Sequence, residues 1–419
     1  MNISSSHKWP LAVVFIFLAL ESHTPGTAQV VFSTDVFVGG SEGSNGTPNY
    51  RIPGMILTGD GVLLAFIEGR RGGGDPGSQG HIDLAMKRSE DGGRTWSPLM
   101  IIDSDPEIDF ANPTPLFDFV TNTAFIVYDQ FPDNCGSNQD CVEPGNSPDP
   151  RDRNQVVWYR TSSDNGLTWS DRNLIPKPLR GSDGKYLRNG MVGPGSGIQL
   201  QRQTDERRNG RLVLPARRGG AETRNSPTAS VEPFVFYSDD HGATWQTSGV
   251  TDGPNANESE VVELANGDLL LDSRQSEGTS RRRHLSRDGG LTWGPDIPDD
   301  AVITTVDASL IRYSAVQDGE DRDRLLFSGP TGDPPGSGQG RYNLAIWTSY
   351  DEGRTFVTPK VVAEGYAAYS VLQRLEDGTV ALLYEATPNT VIRLLILDLS
   401  DLFATHSSDE SNREKTSVH

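Results

Sequence analysis

Two stretches of this 419-residue chain gather side chains able to move protons. Asn257-Glu258-Ser259-Glu260-Val261-Val262-Glu263-Leu264 carries three carboxylates. On a strand Glu258 and Glu260 share one face and Glu263 points elsewhere. Glu68-Gly69-Arg70-Arg71-Gly72-Gly73-Gly74-Asp75-Pro76-Gly77 is a glycine-rich loop holding a single Asp, with Asp83 close behind it in His81-Ile82-Asp83-Leu84. Carboxyl groups suit general acid–base work. A phosphate cradle is the wrong reading of the loop, because no Lys-Ser/Thr follows its glycines. Three arginines stand at strand ends: Arg51 in Tyr50-Arg51-Ile52-Pro53, Arg274 in Leu271-Asp272-Ser273-Arg274, and Arg341 in Gly340-Arg341-Tyr342-Asn343. A guanidinium grips a carboxylate through two parallel hydrogen bonds, which an ammonium cannot do. Singly, each Arg is as readily a structural ion pair, and a lone strand Tyr such as Tyr369 is usually packing. No His/Cys/Asp group has metal-ligand spacing.

These residues lie far apart, so a scaffold must bring them together. One phrase supplies it: Ser-x-Asp-x-Gly-x-Thr-(Trp/Phe), at residues 89–96, 162–169, 238–245, 286–293 and 349–356. Ser and Asp accept hydrogen bonds from nearby backbone N–H groups and tie off a tight turn. The Gly supplies a backbone conformation that a Cβ opposes. Thr and Trp are expected to begin the outgoing strand. The copies start 73, 76, 48 and 63 residues apart, about one four-stranded sheet plus loops each. The expectation is an all-β, six-bladed β-propeller; about 380 residues beyond the leader fit six blades better than four or eight. One blade then lacks the phrase. Apolar runs at 62–67, 124–128, 269–271, 344–347 and 380–384 are short and strand-like, and 45 Gly with 27 Pro supply the many turns.

The formal charge of −20 argues against nucleic acid or an anionic membrane as partner. Residues 1–28 read as a secretion leader: Lys8 precedes apolar residues 11–20, too few to span a bilayer, and Gly26-Thr27-Ala28 suits cleavage. The expected product is secreted and extracellular, with the propeller over 29–400 and a polar tail over 401–419. Export makes a Cys135–Cys141 disulfide the expectation. Asn45-Gly46-Thr47 and Asn257-Glu258-Ser259 are sequons, the second expected to stay unmodified. The basic run Arg281-Arg282-Arg283-His284 is expected to be a solvated strand.

Five such boxes joined to Tyr50-Arg51-Ile52-Pro53 resemble the exo-α-sialidases, over about residues 30–399. The resemblance implies that Arg51, Arg274 and Arg341 hold the carboxylate of a sialic acid. Asp75 takes the acid/base position, with Asp83 as its competitor. Glu258, five residues before Glu263, becomes the base for a nucleophilic Tyr369, and Glu385 pairs with Arg51 to orient it. Sialidases depart from the two-carboxylate rule of glycosidases. Their substrate carries a carboxylate on the anomeric carbon, so a neutral phenol spares the repulsion that an Asp or Glu nucleophile would meet. A free phenol has a pKa of about 10 and needs a base to react near neutrality. The implied activity is retaining hydrolysis of terminal N-acetylneuraminic acid or Kdn from glycans, glycoproteins or glycolipids by a monomer, without metal or cofactor. A trans-sialidase, or a propeller lectin without catalysis, are the alternatives. Gly193-Pro194-Gly195-Ser196-Gly197 resembles a family loop facing the site.

Overall fold

The computed structural model describes residues 27–404 except 41–48, 73, 78–79, 107, 133–155, 177–190, 220–230, 252–255 and 298–300. The leader before residue 27, the Asn45 sequon, the cysteine pair and the tail from 405 lie outside the described residues.

Six antiparallel sheets follow one another around a ring. Blade 1 comprises Asn49–Leu57, Leu63–Arg71, His81–Ser89 and Met100–Asp103, and blade 2 comprises Ile108–Asp118, Thr123–Pro132, Val156–Ser162 and Asn173–Ile175. Blade 3 opens on two short pieces, Met191–Val192 and Ile198–Gln199, and continues through Leu212–Gly219, Val231–Ser238 and Gln246–Thr247. Blade 4 has Ala256–Glu263, Leu269–Gln275 and Arg282–Ser286, its outer edge marked by an isolated Arg283–Ile297 bridge. Blade 5 holds Ser309–Ser314, Arg324–Pro330, Tyr342–Ser349 and Lys360–Tyr366. Blade 6 is made from both chain ends: Ser370–Arg374, Val380–Glu385 and Val391–Asp398 are completed by Gln29–Val38, which pairs with Val391–Asp398 from Gln29↔Asp398 to Val38↔Val391. Residues Ala28–Leu399 form one unit. Among the described residues no helix is long and apolar enough to cross a membrane.

Each box follows the third strand of its blade, leading into the fourth in blades 1, 2, 3 and 5 and toward the Arg283–Ile297 bridge in blade 4, and blade 6 has none. In the first box Ser89 Oγ donates to Asp91 Oδ1 (2.8 Å) and accepts from Gly93 N (2.8 Å). Asp91 accepts from Thr95 N (2.8 Å) and Thr95 Oγ1 (2.6 Å). The same bonds recur around Asp164, Asp240, Asp288 and Asp351. One expectation is corrected here. The Thr is consumed by the turn, with both its N–H and its hydroxyl on the Asp, so it does not start the outgoing strand, which begins at Met100 in blade 1 and Lys360 in blade 5.

The box aromatic packs between its own blade and the preceding one. Trp169 meets Phe66 of blade 1 edge-on (5.7 Å), and Trp245 meets Phe125 (6.3 Å) and Tyr159 (6.2 Å) of blade 2. Phe356 joins a core shared by Leu264 and Leu270 of blade 4 with Phe327 and Trp347 of blade 5. The box Gly presses on the same seam. At Gly242, whose φ is +85°, a Cβ would fall 2.5 Å from the Phe125 ring. Each box therefore fastens two blades together as well as closing a hairpin.

Acid should loosen these turns. Burial opposes the charge on Asp91, yet bonds from Thr95 and Ser89 hold its carboxyl down at about 2. Asp164 is likewise held at about 2, by Thr168 and then Ser162. A carboxyl whose pKa falls on folding stabilises the native state above its unfolded pKa, 3.8 here, and that contribution disappears as pH drops through the folded value. The unfolding temperature is expected to fall between about pH 4 and 2. Asp164→Asn should flatten that slope, and an identical slope in the variant would remove the box from acid stability.

Candidate active site

The innermost strands of the blades run side by side around the hub, and their N-terminal ends gather the singled-out residues. Tyr369, just before blade 6, is 5% exposed and donates its phenolic hydrogen to Glu258 Oε1 at 2.6 Å. Glu258 sits early on the first strand of blade 4 and is 8% exposed. Arg274 Nη1 bridges the couple, 2.5 Å from Glu258 Oε2 and 2.8 Å from the Tyr369 oxygen. Arg51 and Arg341 lie over the Tyr369 ring, with their guanidinium carbons 5.3 and 5.6 Å from its centroid. All three arginines thus converge on one phenol. Arg51 is aimed by Glu385, which accepts from Nε (3.2 Å), Nη2 (3.4 Å) and the Ile52 backbone N–H (3.0 Å).

Asp75 and Asp83 are sharply different. Asp75 has 77% of its side chain exposed and reaches Arg70 Nη1 (2.9 Å) and Arg51 Nη1 (3.9 Å). Asp83 is buried beside Arg71 (2.5 Å) and His81 (2.8 Å). Three further residues shape this region without having been singled out in the sequence. Asp109 accepts from Gly77 N (2.7 Å) and Ile82 N (2.9 Å), tying the C-terminal side of the Asp75 loop to blade 2. Glu68 holds Arg70 (2.7 Å) and accepts from Asn112 N (2.8 Å). Arg217 is buried, donates to the Gly193 carbonyl and lends positive charge to Glu258. Only their acidic or basic type was visible in sequence; their partners come from other blades.

The electrostatics separate the phenol from its neighbour. Burial first, and the Glu258 carboxylate second, push the Tyr369 pKa far above that of a free phenol. Burial also opposes charge on Glu258, but Arg274, Arg217 and the Tyr369 hydrogen bond outweigh it and hold Glu258 below the usual carboxylate range. The pair rests as phenol and carboxylate. That is a weak nucleophile with a base already on its proton.

The basic run of blade 4 corrects the expectation of a solvated strand. Arg281, Arg283 and His284 are each 1% exposed. A single buried carboxylate, Asp272, accepts from Arg281 Nε (2.5 Å) and Arg283 Nε (2.7 Å), and Arg281 also donates to the Val306 carbonyl (3.0 Å). Only Arg282 faces outward, to Asp296. Three consecutive arginines read as solvated because their counter-charge stands on the neighbouring strand.

A six-bladed propeller pinned by repeated Asp-box turns, with an Arg-rich hub, defines a class of β-propeller protein. Residues 61–382 match the BNR repeat-like domain family, and the chain belongs to that family. The chain is 35% identical over 394 residues to the sialidase of Micromonospora viridifaciens, covering 90% of this chain and 55% of that protein. Among solved structures it resembles the Hadza microbial sialidase Hz136, with a TM-score of 0.68, 26% identity, and 83% and 65% of the two chains covered. It resembles in fold the intramolecular trans-sialidase of Ruminococcus gnavus, with a TM-score of 0.70, 20% identity, and 89% and 98% covered. The resemblance to sialidases read from the boxes and Arg-Ile-Pro therefore stands. The chain spans about half the length of its Micromonospora relative.

Proposed function

We propose that this protein is a retaining exo-α-sialidase that releases terminal sialic acids, N-acetylneuraminic acid or Kdn, from glycoconjugates through a covalent tyrosyl intermediate. The observation that carries the reading is the Tyr369–Glu258–Arg274 cluster with two further guanidinium groups over the same ring. In the first step Tyr369 Oη attacks the anomeric carbon as Glu258 takes its proton. Asp75 protonates the departing glycosidic oxygen. In the second step Asp75, now a carboxylate, takes a proton from water. The hydroxide attacks the same carbon, the Tyr–sugar bond breaks, and Glu258 returns the proton to Tyr369. Two inversions give net retention.

Arg51, Arg274 and Arg341 would bind the sugar carboxylate and orient the ring. A chain of −20 would repel an acidic sugar from afar. Beyond a Debye length of ~8 Å that repulsion is screened at physiological salt, and the local arginines dominate at contact. Support comes also from the 35% identity to the Micromonospora sialidase. A fluorogenic sialoside tests activity, with the α anomer as first product by NMR. No turnover, or the β anomer first, would overturn the reading. Adding lactose separates transfer from hydrolysis, and a matched Kdn substrate separates the two sugars.

Arg341→Ala tests the carboxylate grip. Losing one charge-assisted partner is worth about 1.5–3 kcal/mol, so kcat/KM for a carboxylated sugar should drop roughly 10- to 150-fold. An unchanged kcat/KM removes Arg341 from the grip.

A further inference from the structure

Beneath the Tyr369–Glu258 couple lie two carboxyl groups that the proposed reaction does not use. Glu260, two residues on from Glu258, is 2% exposed, and Asp307, just before the first strand of blade 5, is 3% exposed. Each is under-satisfied: Glu260 Oε2 accepts from Ser196 N (3.2 Å), while Glu260 Oε1 and Asp307 Oδ1 meet no hydrogen-bond partner among the described residues. Gly195 leaves Glu260 its room, since a Cβ there would fall 2.5 Å from Oε1. A buried ionised carboxylate without such partners is costly, and neutralisation by a proton is the usual escape. A metal ion would serve as well, but no group of three or more His, Cys, Asp or Glu is placed to hold one among the described residues.

The surroundings favour the proton. Glu260 faces Asp307, Asp272 and Arg281. Asp307 faces Glu258, Arg281 and Arg274. Arg281 is already committed to Asp272, which also balances Arg283. Burial and then Asp307 raise the pKa of Glu260; burial and then Glu258 raise that of Asp307. A route for proton exchange exists. A hub cavity of about 300 Å³, which Glu260 helps line, extends along the innermost strands between Leu57, Phe117, Gln199, Leu310 and Leu372. The candidate active site occupies the N-terminal ends of those strands.

We propose that Glu260 and Asp307 form a proton-holding pair under the active site, exchanging with solvent through the hub cavity, whose ionisation sets the upper pH limit for binding an acidic sugar. Losing the proton places a second negative charge next to Glu258 and in the field of Arg274. By reciprocity, the charge that raises Asp307 must oppose Glu258 and an incoming carboxylate when Asp307 itself ionises.

This inference rests on the proposed function for its kinetic arm but not for its spectroscopic one. Infrared difference spectra of the whole protein across neutral to alkaline pH should show a protonated-carboxyl carbonyl band that bleaches as pH rises. The band should be diminished or moved in both Glu260→Gln and Asp307→Asn. If wild type lacks the band, or if both variants keep it unaltered, the pair is overturned whatever the enzyme does. In the kinetic arm, KM for a sialoside should rise about tenfold over the alkaline range, the equivalent of a one-unit coupling. The neutral variants should hold that rise below about twofold. If turnover is absent, the proposed function fails and the infrared result still decides the pair. If turnover is normal and the variants keep the alkaline rise in KM, the role as a pH limit is overturned. Should Asp307→Asn not fold, Glu260→Gln carries both readouts.

Discussion

Tyr369→Phe is expected to fold and to lose on the order of 10³-fold or more in kcat, because the attacking oxygen is removed while its base and the arginines remain. The ring keeps its place under Arg51 and Arg341, which contact its face and not its hydroxyl. Glu258 loses the 2.6 Å bond from the phenol but keeps Arg274 at 2.5 Å, so no carboxylate is stranded. The structural cost should stay near 1 kcal/mol. Rates with a fluorogenic sialoside, beside a thermal melt, separate the outcomes. A variant within tenfold of wild type would mean that the sugar never bonds to Tyr369. A variant inactive because unfolded would mean that the hydroxyl is a structural keystone instead.

Asp272→Asn carries the largest expected loss of stability, about 3–5 kcal/mol, since removing one partner of a buried ion pair leaves uncompensated charge. Here two guanidinium groups are affected together. Arg281 and Arg283 are both buried, and Asp272 is completely so. Asn preserves the shape and one acceptor but supplies no negative charge. The effect should appear as a lower denaturant midpoint with an unchanged slope. A shift worth less than about 1 kcal/mol would imply that the two arginines draw their balance from elsewhere, with Glu260 and Asp307 the nearest source.

The boxes made most of the fold legible, because each is a local turn whose partners lie within eight residues. The blade without a box was countable but not assignable, since its strands come from residues 29–38 and 370–398 and no repeat marks it. In the site, Arg51, Glu258, Arg274, Arg341 and Tyr369 converge as a cluster, and only the family pattern pointed to them. Spacing alone left each as an ordinary ion pair or packed ring. What stayed hidden is non-local: Asp109 beneath the Asp75 loop, Arg217 behind Glu258, and Asp307 in an unremarkable Val306-Asp307-Ala308. The misreading of Arg281–Arg283 has the same origin, for a charge run says nothing about a carboxylate on the next strand.

The joint between Gln29–Val38 and Val391–Asp398 carries a consequence for biosynthesis. Residues 29–38 must wait for residues 391–398, more than 350 positions further along the chain. Until residues 391–398 have been made, the apolar residues Val36 and Phe37, buried in the finished ring, have no sheet to join. A ribosome stalled before residue 391 would release a fragment with a raw strand edge, a template for association with other chains. A chain stopped before residue 385 would lack part of the site as well, because Glu385 of blade 6 aims Arg51 of blade 1. Activity and circular closure should therefore arise together, once residues 391–398 are available to pair with 29–38.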